Sequence, residues 1–382
     1  MSHGMMKRNV AIGITIGAAA LVGAAFLMAR SRDMTPERAR GSAFVAGLES
    51  RAAEISAIEL LRGNATVRIE RQAGDRWIVA TSDGYPARTE LVRALLVSVG
   101  GLTIDDRMTA KKERHGELGL AWPDESGKAR RVRFLSMTPG APPVADVILG
   151  DERFAPDAIF ARLPEQDQTW RTLGRVQVPG DALAWIDRTL LSLPSGETLS
   201  ASIEGLTATP SANDPGRQPG MPNMPWGITV IEPEREHWSV EQVDSAKTGL
   251  PSFLERLEID GVRRARTDAA PEPQWSPSFD TRSALITLNG HAEADGTWFT
   301  ISVLPRPGAP VPAPAKHDGD PFVPDWAALS EACDGWEFKM PAWKADTLRR
   351  MRAPAPAANS EPTTLEPSTL GAPRRPLRGG AE

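Results

Sequence analysis

Few residues of this chain have types and spacing suited to chemistry, and they are scattered. His317, Asp318, Gly319 and Asp320 read HDGD, two carboxylates that could hold a divalent cation in a flexible loop. The stretch from Leu304 to Pro324 around them carries seven prolines and offers no further ligand, so it reads as a solvated loop. The other histidines, His3, His115, His237 and His291, have no metal partner at helical or hairpin spacing. Asp105 and Asp106 stand beside Arg107 and read as strand-end solvation rather than an acid/base pair. A single cysteine, Cys333, excludes an intramolecular disulfide framework and any multi-cysteine metal site. There is no Walker lysine loop, no dinucleotide glycine fingerprint, no G-x-S-x-G elbow and no HExxH helix. The sequence therefore assigns no catalytic, cofactor-binding or metal residue, and we read a non-enzymatic protein.

The elements that position the body begin with Val10 to Ala29, twenty residues without a charge, preceded by Lys7 and Arg8 and followed by Arg30 and Arg32. At about 1.5 Å per residue a helix of that length reaches roughly 30 Å, the hydrocarbon thickness of a bilayer. A cleaved signal peptide would have a shorter apolar core and small residues at the cut, whereas this run ends in Phe26, Leu27, Met28 and Ala29. We therefore expect a retained anchor within residues 1–32. Gly13 and Gly17 form a GxxxG pair through which two such helices could self-associate, although an Ala/Gly-rich composition also yields such spacing. Counting lysine and arginine on the two flanks does not orient the span. A short head, one span and a large body behind it are the usual shape of a signal anchor, which places the body outside the cytoplasm.

The body is ordinary globular material, 41% hydrophobic and 24% charged over the whole chain. A net charge of −5 and a pI near 5.7 argue against a general nucleic-acid binder. Eleven tryptophans accompany one tyrosine, and most are expected to be packing anchors.

Asp33 to Gly47 reads as a polar juxtamembrane spacer. Ile55 to Leu61, continued by Thr66 to Glu70 with Val67 and Ile69 alternating against Arg68 and Glu70, reads as a half-buried strand. Ala73 to Asp75 then turn the chain back through Trp77 to Val79 as a hairpin. Thr89 to Val99 has helical spacing and stops at Gly100 and Gly101. Strands are expected at 102–108, 131–135, 144–149 and 159–163, followed by a helix from about Asp181 to Leu191.

Several short motifs in this half share an order: Gly74 with Trp77, the Gly119-Leu120-x-x-Pro123 turn, the Leu149-Gly150-Asp151 strand end, and Phe160-x-Arg162-Leu163. In that order and spacing, residues 50 to 195 resemble domain-of-unknown-function family 4340. The resemblance implies a membrane-anchored bacterial protein associated with gliding-motility-type ABC transporter components, and it supplies no catalytic residues to carry over.

The second half echoes the first. Ala201 to Leu206 loosely repeats Ala57 to Leu61, and Gly227 to Val240 repeats Thr66 to Val79, with Trp238 at the place of Trp77. Phe253, Leu254 and Leu257 suggest a helix capped by Ser252 and Glu255. Thr297 to Leu304 alternates like Arg131 to Leu135, and Trp336 to Met351 echoes Trp170 to Leu191, while the Gly-Leu-x-x-Pro turn is missing. Pro210 to Pro225 reads as an insertion in the first hairpin of this copy, and 352–382, rich in Pro and Ala, as a disordered tail.

The expected architecture is α+β: a single N-terminal transmembrane helix, then two tandem antiparallel-sheet-plus-helix modules at 50–195 and 200–351. The functional expectation is an accessory or scaffold component of an ABC-type transport system, with the bilayer and transporter subunits as partners and no nucleic acid. The alternative is a periplasmic ligand- or polysaccharide-binding protein using a groove between the modules, and a hydrolase with a motif-free site is a third possibility.

Overall fold

The computed structural model describes residues 40–126, 128–210, 226–230, 238–266, 271–308 and 321–351. The expected membrane segment Val10–Ala29, its Gly13 and Gly17, the Pro-rich insertion after Pro210 and the tail from 352 lie outside them. No helix among the described residues is long and apolar enough to cross a membrane.

Alternation of apolar and charged residues builds the first sheet. Its strands are β1 (Ile55–Arg62), β2 (Ala65–Arg71), β3 (Trp77–Val79) and β4 (Tyr85–Pro86). After helix α1 (Thr89–Gly100) come β5 (Thr103–Arg107), β6 (Arg130–Ser136), β7 (Ala145–Phe154), β8 (Asp157–Arg162) and β9 (Thr169–Leu173). The order across this antiparallel sheet is β4-β3-β2-β1-β6-β7-β8-β9-β5. Val67, Ile69, Val132 and Phe134 point into the core, while Arg68, Glu70, Arg131 and Arg133 occupy the opposite face, as a period of two requires. Helix α1 covers the inner face with Val92, Leu95 and Val99, one turn apart along one side of the helix.

A short link, β10 (Thr189–Leu191), leads to the second sheet. Its strands are β11 (Thr198–Ile203), β12 (Leu206–Pro210) and β13 (Trp226–Val230), then, after α2 (Val240–Gly249) and β14 (Leu257–Glu258), β15 (Gly261–Arg264). There follow β16 (Ser278–Thr281), β17 (Ala284–Glu293), β18 (Gly296–Pro305), α3 (Trp326–Cys333), β19 (Trp336–Met340) and α4 (Ala342–Arg350). The order is β13-β12-β11-β16-β17-β18-β19-β15. Apart from the two-residue β4, each position corresponds to one in the first sheet: three strands, a helix, a strand at the far edge, then four strands filling the middle.

The two sheets share one apolar core. β10 pairs with β14, and Arg188 donates to the Ile259 carbonyl at 3.1 Å. Tyr85, the single tyrosine, stands edge-on to Trp336 and Phe338 with ring centroids 4.9 and 6.0 Å apart.

Several expectations are corrected. Ile55–Leu61 and Thr66–Glu70 are two strands, because Gly63 adopts φ 55° and turns the chain between them. β7 does not end at Gly150 and Asp151 but passes them with a register shift and continues to Phe154. The helix expected from Asp181 to Leu191 is a 3-10 turn, Ala182–Trp185, followed by β10. There the Trp185 carbonyl accepts the Arg88 amide and Leu191 pairs with Leu257, so strand pairing overrides the helical pattern. No helix forms at Phe253–Leu257; the capping box belongs to Ser239 and Gln242 at the start of α2. Trp238 precedes that helix, and the residue that opens the third strand as Trp77 opens β3 is Trp226, which faces Pro210 as Trp77 faces Arg71. The insertion consequently lies between β12 and β13, in the second hairpin. β18 takes the place of β8 rather than β6, and β16 and β17 were not foreseen. Residues 41–44 are no spacer: Gly41 and Phe44 amides donate to Ile104 and Leu102, and Ile104 donates back to Ser42, which adds a short strand-like segment to the β5 edge.

Candidate functional site

The motifs that stand far apart in the first half meet on the outer face of the first sheet. Gly119 ends a 3-10 segment, Lys112–Leu118, in the left-handed conformation with φ 67°. A side chain there would bring its Cβ to 2.5 Å from Asp151 Oδ1, and one at Gly150 would come within 2.2 Å of the Leu118 carbonyl. The two glycines therefore let the loop lie directly on β7. Leu120, so placed, packs with Ala129, Ile148 and Phe160 in a small second core outside the main one. Arg162, the last residue of β8, is 3% exposed and donates through Nε to the Leu120 carbonyl at 2.9 Å.

Beneath this loop lies a cavity of about 500 Å³ whose polar lining is Lys112, His115, Trp122, Arg162, Glu165 and Asp167. His115 is buried, with Nε2 2.8 Å from the Asp167 carbonyl, and Lys112 pairs with the Asp167 carboxylate at 3.6 Å. The Trp122 ring has the guanidinium groups of Arg162 and Arg131 each 5.1 Å from its centroid.

Arg131 joins this cleft to a ladder of charges across the sheet. Glu70 and Glu59 each hold Arg68 at 2.6 Å, and Glu59 also holds Arg133 at 2.6 Å. Asp146 bridges Arg133 at 3.5 Å and Arg131 at 2.7 Å. The hydrogen bond to Asp146 pushes the Arg131 pKa up, so that guanidinium is a fixed positive charge. Individual half-exposed pairs contribute little to stability, but a ladder orients the side chains it links. The cleft thus presents cations and an indole face beside two carboxylates, an arrangement suited to holding a polar or anionic group against a flat ring.

Of the histidines and carboxylates weighed from sequence as site candidates, His115 alone enters this cleft. Asp105 lies at the far edge, bound by Arg40 at 3.1 Å and Arg171 at 2.6 Å. Burial opposes its ionisation, but the two guanidinium groups outweigh that and hold its carboxyl below the usual range. Asp106 is 3.8 Å from Arg171. His291 belongs to the second sheet, where its Nε2 lies 2.9 Å from both Arg266 and Glu293. His3, His237, His317, Asp318 and Asp320 lie outside the described residues. Among the described residues no group of three His, Cys, Asp or Glu side chains is placed to hold a metal ion.

Arg162 and Trp122 were missed as a pair. The signal was an arginine closing an apolar strand, DAIFAR, which the alternation assigns to the same face as Phe160. In the second sheet the described part of the corresponding link between β15 and β16 lays the Trp275 ring where a Cβ on Gly290 would be, 1.8 Å away.

No curated protein and no solved structure matches the chain. A family model does match, and its span begins at Trp77 rather than near residue 50 and continues past residue 195 to Pro277. It includes every motif that lines the cleft and extends through the link into the second sheet. With residues 77–277 of its 382 under that model, the chain belongs to the family described as Domain of unknown function (DUF4340).

Proposed function

We infer that the chain is a non-enzymatic, membrane-anchored envelope protein whose body lies outside the cytoplasm and serves an ABC-type transport system as an accessory or scaffold. The observation that carries this reading is the docking of residues 41–44 on the β5 edge. It ties the sheet directly to the chain that leaves the anchor. Ten residues lie between Ala29 and Arg40, a reach of at most about 40 Å when fully extended. A body held that close meets membrane partners at an effective concentration of about millimolar order.

The shared strand order of the two sheets supports two tandem modules descended from one unit, with the second diverged. The second copy's sequence lacks the Gly-Leu-x-x-Pro turn on which the first module builds its cleft, so recognition by that cleft belongs to the first module. A second reading, a ligand binder, is favoured by the Trp122 and Arg162 cleft itself, which lies within one module rather than in a groove between two.

Co-purification tests the first reading. Detergent-extracted full-length chain should bring down transporter subunits, and a chain starting at Asp33 should fold but lose them at ordinary expression levels. Substitution of His115, His237 or Asp320 should leave the association intact. Loss of a catalytic activity on one of those substitutions, with folding and association unchanged, would replace the scaffold reading with an enzyme.

A further inference from the structure

The second module has a cleft of its own, between α2 and α4. Ser245, Thr248, Gly249 and Ser252 form a stripe of small residues on one side, and Trp343, Lys344, Thr347 and Arg350 face them. Gly249 allows the helices to meet: a Cβ there would lie 2.9 Å from Thr347 Cγ2 and 3.2 Å from Met351 Sδ. Beside that contact opens a cavity of about 480 Å³.

At its wall lies a lysine amine that is nearly inaccessible, since Lys344 is 3% exposed. Its Nζ donates to the Phe253 carbonyl and lies 4.3 Å from the Phe253 ring and 5.1 Å from the Trp343 ring. An ammonium has three donors, and among the described residues that carbonyl is its one hydrogen-bond acceptor. No carboxylate forms an ion pair with it there. Glu258 is engaged by Arg256 at 2.6 Å, and Glu255 lines the cavity without bonding the amine. Burial pulls the amine down to about 8 against the opposing pull of Glu258 and Glu255. The cationic neighbours facing the cavity are Arg256 and Arg350.

The rest of the lining fits an anion rather than a cation. Thr248, Ser252 and Thr347 direct their hydroxyl protons to backbone carbonyls of their own helical turns, which leaves Lys344, Arg256 and Arg350 as the principal donors. Trp343, 58% exposed, supplies a flat apolar wall. Trp77, Trp170, Trp185, Trp238, Trp275, Trp298, Trp326 and Trp336 are buried, whereas Trp122 also lines a cleft and also stands over a cation that is 3% exposed, Arg162. One pairing of an accessible indole with a deeply buried cation thus occurs in each module.

From this geometry we propose that the cleft between α2 and α4 binds a small organic oxyanion. Its charged head rests on the Lys344 amine and the Arg350 guanidinium, and its body lies on Trp343. This goes beyond the scaffold reading and does not depend on it, because the groups that carry it lie in the second module and in no part of the anchor.

The test uses the full-length chain in detergent with benzoate, acetate and inorganic phosphate as probes. Binding is read by saturation-transfer NMR of the organic acids and by displacement of the Lys344 ε-carbon resonance in chain carrying 13C-labelled lysine. Benzoate should bind saturably and shift the Lys344 resonance, and more tightly than acetate, because acetate leaves the Trp343 wall empty. Lys344→Met should weaken benzoate by about tenfold or more, the loss of one charge-assisted hydrogen bond. Should that variant fail to fold, the rim substitution Arg350→Glu reads the same site and should weaken benzoate by about fivefold or more. Phosphate shifting the Lys344 resonance while benzoate does not would keep the oxyanion site and overturn the aromatic-body element of the proposal. The proposal is overturned if no probe shifts the Lys344 resonance below about 10 mM, a dissociation constant too weak for a built site, or if a folded Lys344→Met chain binds benzoate as the parent does.

Discussion

Lys344→Met should make the protein more stable at neutral pH, although it deletes a hydrogen bond. The amine falls from 10.5 to about 8 on folding, and at about 1.4 kcal/mol per tenfold change in protonation that places roughly 3 kcal/mol against the folded state near pH 7. Methionine fills similar volume without the charge, but leaves the Phe253 carbonyl without this donor, a loss of about 1 kcal/mol. The net gain is therefore about 2 kcal/mol at pH 7. The sign of the pH dependence follows. Because the folded amine titrates below the unfolded one, the unfolded chain holds more protons between about pH 8 and 10.5, and stability from this group rises through that window. Cys333 opposes it above the usual thiol range, since burial pushes that thiol up to about 12, so the comparison is made between parent and variant at each pH. Denaturant melts of the full-length chain from pH 7 to 10.5, followed by tryptophan emission, measure it. The advantage of Lys344→Met should shrink, pass through zero and reverse to a deficit of up to about 1 kcal/mol at the alkaline end, where only the lost hydrogen bond remains. A variant less stable than the parent at pH 7, or a difference independent of pH, would refute the reasoning.

Gly150→Ala should cost about 2–3 kcal/mol, because its Cβ meets the Leu118 carbonyl, which is backbone and cannot rotate away; denaturant melts read this, and the Leu118–Trp122 loop should exchange its amides faster. Glu293 is held well below the carboxylate range, chiefly by the hydrogen bond from Arg263 and further by His291 and Arg266, with desolvation opposing. Its contribution is full above the ordinary glutamate value and is lost as pH falls below it, so Glu293→Gln should show a shallower loss of stability between pH 4.5 and 2 in acid titrations. Cys333, 3% exposed with its thiol raised to about 12, should resist maleimide in the native state and react at a rate set by unfolding.

The first module was legible because its strands obey one period. Val67 and Ile69 against Arg68 and Glu70 gave β2, and Leu91 to Val99 gave α1, stopped by its glycines. The second module was harder for two reasons. A long insertion after Pro210 separates β12 from β13, so the matching of Gly227–Val240 to Thr66–Val79 slipped by one strand and put Trp238 where Trp226 belongs. Leu191 and Leu257 carry apolar spacing that suits a helix, and only their mutual pairing across 66 residues makes them strand. The cleft was half visible. Gly119, Leu120, Gly150 and Arg162 stood out as motif letters, yet nothing in their sequence positions says that β7 brings Gly150 under the 119 turn. Lys344 gave no signal, because a lysine on a polar helix reads as solvated until Phe253 and Trp343 are seen to cover it.

A photo-crosslinking residue in place of Trp122, carried by the full-length chain in its own membrane, tests the membrane-tethered recognition role most directly. Adducts with a subunit of an ABC-type transporter should form from position 122, and should fall to background when the chain begins at Asp33. Equal adducts from the tethered and untethered chains, or adducts to no membrane protein at all, would contradict it.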